Sequence, residues 1–165
     1  MATRAQHSDS SEQGRAALRT WLRLLACTNI IEKHLQSQLR QKFESTLPRF
    51  DVLAELDAAE NQLGHGISMS GLSQRLMVTN GNVTGLVEQL VKERLVTRTM
   101  APHDRRSQFV RLTKSGKRAF DRMVPEHRAW VERIFSQLSP KDHAAMDQIL
   151  AKLKDATQRI LENAE

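Results

Sequence analysis

Apolar residues recur at helical spacing along most of this 165-residue chain. Leu18, Trp21, Leu22 and Leu25 fall three and four apart in a stretch from about Gly14 to Ser45 without internal Gly or Pro, which predicts an amphipathic helix continuing through Leu35 and Leu39. Pro48 suits the first turn of a second helix, with Val52, Leu56, Ala59 and Leu63 on one face and "GHG" at 64–66 ending it. Ser70 then reads as the N-cap of a short helix, "GLSQRL", and Thr79 or Asn80 caps the next one after the turn "VTN". In that next helix Val83, Leu86, Val87, Leu90 and Val91 match the i, i+3, i+4, i+7, i+8 template at every step. Its opposite face, Asn82, Thr84, Gly85, Glu88, Gln89 and Lys92, is polar and mostly uncharged toward its N-terminal end.

The pattern then changes. "LVTRTM" and "QFVRLT" are β-prone runs joined by the turn-rich "APHDRRS", which predicts a hairpin. Thr113 can cap a long helix from Lys114 to about Gln137, with Pro125 inside it as a kink or break. In "LSPKD", Ser139 is the N-cap of a last helix, Pro140 its first residue and Asp142 a carboxylate near its positive end, with Met146, Ile149, Leu150, Leu153 and Ile160 along the apolar face. Helix, tight turn, helix and hairpin is the order of a winged helix-turn-helix. The expected fold is therefore mostly α with a small β-hairpin wing, a winged helix-turn-helix domain plus a helical dimerisation region. The corresponding division is a disordered tail at 1–13, an N-terminal dimerisation helix region at 14–47, a DNA-binding domain at 48–113 and C-terminal dimerisation helices at 114–165. The terminal helices are too long and too apolar on one side for a domain of about 80 residues to cover, so a second copy is the economical partner.

Charge sharpens the picture by its distribution. Between Arg94 and Arg118 there are eight Lys or Arg against one acid, Asp104, whereas the whole chain carries a net +6. Basicity is thus a local patch on a nearly neutral protein, the footprint of a nucleic-acid face. The single cysteine, Cys27, forms no internal disulfide, and the N-terminal "MATRAQHSDSSEQG" lacks the apolar core of a signal peptide. No run approaches the roughly 18 apolar residues of a membrane span. These features lead us to expect a cytoplasmic protein with no membrane partner. No nucleophile elbow, phosphate loop or paired-glycine motif suggests an enzyme. His143 with Asp147, and Glu126 with His127, fall short of the three or four clustered ligands of a zinc site, so neither metal nor cofactor is expected.

A helix fits the major groove of B-DNA, about 12 Å wide, with its N-terminal side chains at the base edges. Asn82, Thr84 and Gln89 suit base contact there, and Ser70, Ser73, Asn80 and Gly85 complete the candidate set on and beside that helix. The minor groove is about 6 Å wide and negative in potential, so a thin hairpin tip can deliver a guanidinium into it. Arg106 is assigned to that groove and Asp104 to orienting it through paired hydrogen bonds. Arg98, Arg105, Arg111 and Lys114 are assigned to phosphates, which adds affinity and salt dependence.

The stretch "LSQRLMVTNGNVTGLVEQLVKERLVTRTMAPHDRRSQFVRLTKSG", Leu72 to Gly116, resembles the core of the MarR family of bacterial transcription regulators. The wing signature "DRRS" at 104–107, followed by "LTKSG" at 112–116, carries the likeness, which extends weakly from about Gly14 to Ile160. It implies an obligate homodimer on double-stranded DNA, repressing through a pseudo-palindromic operator, with two recognition helices about 34 Å apart. It also implies release by a small effector, an aromatic acid or its coenzyme A thioester, held between dimer region and winged domain by the first, second and fifth helices. Trp21, Phe50 and Met123 would then supply apolar wall and Arg49 an anion contact. Two positions depart from the family pattern: Gly85 where many relatives carry Arg, and Arg94 in place of the Gly that usually ends the recognition helix.

Overall fold

The computed structural model describes residues 2–64, 66–100 and 108–163. The helix α1 (Ala2–Phe43) begins well before Gly14, so the stretch expected to be a disordered tail is helical. It contains no proline, and its one glycine costs only about 1 kcal/mol relative to Ala. Thr46 caps α2 (Leu47–Leu63), with Pro48 in the first turn, and Gly64 ends it in the left-handed conformation at φ 68°. A two-residue strand β1 (Ile67–Ser68) follows, then α3 (Met69–Leu76), α4 (Asn80–Lys92), β2 (Val96–Met100), β3 (Gln108–Leu112), α5 (Lys114–Phe135) and α6 (Pro140–Glu162).

The sheet order is β1-β3-β2, antiparallel throughout, with Val96 opposite Leu112 and Met100 opposite Gln108 in the hairpin. Strand β1 was not anticipated, because two residues carry no periodicity. It pairs Ile67 with Val110 and so moves the start of α3: Ser68, not Ser70, is the N-cap, accepting a hydrogen bond from Gly71 N at 3.1 Å.

The chain divides into two compact units, residues 1–127 and 128–165. In the first, Leu39 of α1, Leu53 and Leu56 of α2, Leu72 of α3, Val83, Val87 and Leu90 of α4, and Val110 of β3 form a core that excludes water almost completely. Burying side chains of this size stabilises by roughly 1.5–3 kcal/mol each. In the second, Ser139 and Asp142 form a reciprocal capping box that starts α6, on which no residue is buried.

One junction fixes the wing against the helices. Helix α4 ends with Arg94 left-handed at φ 60°, closed by Leu95 N to Leu90 O and Arg94 N to Val91 O, both 2.9 Å. This is the closure expected of a terminal glycine, built here on an arginine. Thr113 Oγ1 donates to the Arg94 carbonyl at 2.7 Å and accepts from Gly116 N at 3.0 Å, so one side chain caps α5 and clasps the end of α4. Ser115 Oγ donates to the same carbonyl at 2.8 Å. A Cβ at Gly116 would collide with the Leu95 carbonyl, which explains the glycine in "LTKSG".

Candidate nucleic-acid interface

Helix α4 turns Val83, Val87 and Leu90 inward and leaves Asn82, Thr84, Gly85 and Gln89 exposed. A Cβ on Gly85 would meet nothing within 4 Å, so no packing demand explains the glycine. Met77 links α3 to α4 in the left-handed region at φ 54°, which sets the tight turn. Ser70 is exposed at the start of α3, its hydroxyl 3.1 Å from that of Ser68. Ser73 is different from its expectation: it is buried, and its hydroxyl donates to the Ser70 carbonyl at 2.9 Å, a tie within α3.

The basic residues separate into two groups. Arg111 reaches α2, where its Nε donates to Glu60 Oε2 at 3.1 Å and its Nη2 pairs with Glu60 Oε1. Lys117 bridges Asp57 at 3.0 Å and Asp121 at 2.5 Å, and hydrogen bonds to those carboxylates raise its pKa. Arg111, with its side chain 41% exposed, is thus already paired within the fold. Arg98 lies opposite Val110 on the inner face of the hairpin, and its Nε and Nη2 have no acceptor among the described residues. Lys114 is exposed at the start of α5. Asp104, Arg105 and Arg106, and the side chain of Asn80, lie outside the described residues.

Of the effector candidates, Arg49 and Met123 line one open cleft of about 610 Å³, together with Lys42, Glu93, Leu95 and Arg122. Trp21 does not belong to it; it stands 55% exposed on α1. Phe50 does not line it either; it is buried, stacked on His127 at 4.3 Å and tilted against Phe120 at 5.4 Å. The same burial lowers the His127 pKa. Arg49 is ion-paired with Glu93. Sequence reasoning missed Lys42, Glu93 and Arg122, because the cleft joins segments that no local spacing connects. Among the described residues no group of three or more His, Cys, Asp or Glu is placed to hold a metal, and no helix is long and apolar enough to cross a membrane.

The sequence profile of the MarR family matches residues 46–107. The HTH-type transcriptional regulator YfiV of Bacillus subtilis is 30% identical over 125 residues, covering 75% of this chain and 72% of that protein. The chain belongs to the MarR family. A second B. subtilis HTH-type regulator, YkoM, is 34% identical over 85 residues, 52% of this chain and only 53% of its own length. The transcriptional activatory protein BadR of Rhodopseudomonas palustris is 26% identical over 167 residues, 99% of this chain and 94% of that protein. Among solved MarR structures, AbsC of Streptomyces coelicolor superposes with a TM-score of 0.77 at 25% identity, covering 86% of this chain and 93% of its own. Sco3205 of the same organism, solved in complex with DNA, has the same fold: TM-score 0.76, 23% identity, 84% and 86% coverage. This MarR chain is a DNA-binding transcriptional regulator rather than an enzyme.

Proposed function

We propose that the chain acts in the cytoplasm as a homodimeric repressor that inserts α4 into the major groove at each half of a pseudo-palindromic operator. The wing then reaches the flanking minor groove. The observation that carries this reading is the exposed, largely uncharged polar face of α4 immediately before a basic hairpin. Asn82 and Gln89 have the donor and acceptor pairs to read adenine, and Thr84 a methyl to meet thymine. Lys114 and the arginines of the tip, Arg105 and Arg106, supply phosphate and minor-groove contacts, whereas Arg98, turned to the inner face of the hairpin, does not. Dimerisation is supported by apolar side chains left in water on α1, such as Leu18 and Leu22, and on α6, such as Ile149 and Ile160. The cleft that Arg49 and Met123 line is where we place a small effector, an aromatic acid or its coenzyme A thioester.

A salt titration of duplex binding tests the core of this proposal. Affinity should fall linearly on a log–log plot, with a slope near −0.9 for each phosphate neutralised. Flat salt dependence with little affinity would instead indicate a protein-interaction module. BadR, which aligns over nearly the whole chain, is an activatory protein, so activation is the second reading. A reporter with the selected operator placed upstream of, or across, a promoter separates the two signs.

A further inference from the structure

The hairpin that carries the wing is fastened to α2 at its base. Strand β3 is the middle strand of the sheet, and Arg111 on it pairs across the strands with Thr97 of β2. The Arg111 side chain reaches α2, where Nε donates to Glu60 Oε2 at 3.1 Å and Nη2 donates to Glu60 Oε1. One carboxylate thus takes both prongs of the guanidinium, the geometry that makes a part-exposed ion pair worth more than a loose surface contact. Glu60 stands in the last turn of α2, where the helix already presents negative charge, so nothing local favours a carboxylate there. One turn earlier, Asp57 holds Lys117 of α5 at 3.0 Å. Helix α2 itself is fixed, since Leu53, Leu56 and Ala59 are buried in the core. The backbone also makes room for the arginine. A Cβ at Gly66 would collide with Cγ of Arg111 and with the Val110 carbonyl, so the glycine before β1 leaves open the path by which the side chain crosses to α2.

The fork lies where a small change in angle matters most. Gln108, the far end of β3, stands three positions before Arg111, roughly 10 Å along an extended strand. Strand β1 pairs with β3 only as far as Phe109, so the ribbon beyond has two strands and is only marginally stable on its own. A tilt of about 20° at Arg111 would move the end of β3 by roughly 3 Å, half the width of a minor groove of about 6 Å. We propose that Glu60 is a positioning residue for DNA binding: by gripping Arg111 it sets the angle at which the wing leaves the domain and so brings the tip to the groove. This rests on the wing reading above and adds the residue of α2 that aims it. The sign of one substitution separates two roles for Arg111. If Arg111 simply meets a phosphate, Glu60 competes with that phosphate, and removing its charge strengthens binding. If Arg111 aims the wing, removing the same charge weakens binding.

Affinity of the full chain for an operator selected from random duplexes, read together with hydroxyl-radical and dimethyl sulfate footprints, tests this. Glu60→Gln, although it removes a negative charge from the DNA-binding domain, should weaken operator binding about tenfold, the scale of one lost groove contact. Arg111→Gln should do the same. Both should lose the flanking minor-groove protection from hydroxyl radicals, while dimethyl sulfate still finds the major groove covered. Exchanging the charges, Glu60→Arg with Arg111→Glu, should restore affinity to within about threefold of wild type, a recovery that a lone phosphate contact by Arg111 does not give. Urea midpoints check that the variants fold. If Arg111→Gln does not, Glu60→Gln decides together with Arg111→Lys, which keeps the charge but not the fork and should also lose the flanking protection. The proposal is overturned if Glu60→Gln binds the operator as tightly as wild type or more tightly, if the variants keep the flanking protection, or if the charge exchange binds no better than Arg111→Gln alone. Flanking protection absent from the wild type defeats the wing reading on which this rests, whereas protection present in the wild type and unchanged in Glu60→Gln defeats the grip on Arg111 alone.

Discussion

Arg94 occupies a backbone conformation that an arginine adopts at a cost and a glycine adopts freely. Arg94→Gly should therefore stabilise the protein by about 1 kcal/mol, read as a higher urea midpoint with an unchanged slope. Gly85 presents the reverse case, a helix-interior glycine with open space above it. Gly85→Ala should also stabilise by about 1 kcal/mol, and if the bare position admits the duplex backbone it should weaken operator binding at the same time. Asp51 carries a pH signature: burial, with Glu32 and Glu55 adding repulsion, pushes its pKa up to about 6. The folded carboxyl holds a proton that the unfolded one releases near 3.8, so its contribution to stability is present below that pH and is lost as pH rises through about 6. Denaturation midpoints of the wild type should fall over this window relative to Asp51→Asn. Parallel pH profiles for the two proteins would contradict the assignment.

At the scale of elements, the helices were legible because apolar spacing and caps agreed. Thr113, Ser139, Pro48 and Pro140 all mark starts that the structure keeps. Strand β1 was not legible, since its existence depends on the far side of the hairpin, and it displaced the cap of α3 from Ser70 to Ser68. The charge pattern also read more simply than the fold permits. Glu60 takes up Arg111 and Asp57 takes up Lys117, pairings across elements that linear charge counting does not register, and Asp121 adds an i,i+4 partner to Lys117 within α5. Division of labour between the elements is testable. Arg106→Ala should weaken binding across operator variants while leaving dimerisation intact, whereas Gln89→Ala should relax discrimination at one position by about 1–3 kcal/mol. If both variants lose affinity uniformly, α4 is not the element that reads sequence.

At the scale of the whole molecule, the apolar stripes of α1 and α6 remain in water in a single copy, with Leu18 58% and Ile149 64% exposed. Their periodicity was plain in the sequence. The cleft proposed for an effector was only half legible: Arg49 and Met123 line it, Trp21 and Phe50 do not, and the pairing of Arg49 with Glu93 spans too much sequence for any local pattern to reveal. A twofold dimer would bring two α4 helices to the same side of a duplex about 34 Å apart. Hydroxyl-radical footprinting on an operator selected from random duplexes measures that arrangement directly. We expect two symmetry-related protected patches, centred about 10 base pairs apart on one face of the helix, each flanked by minor-groove protection that Arg106→Ala removes. A single unsymmetrical patch, or protection unchanged in Arg106→Ala, would contradict a paired grip by recognition helix and wing.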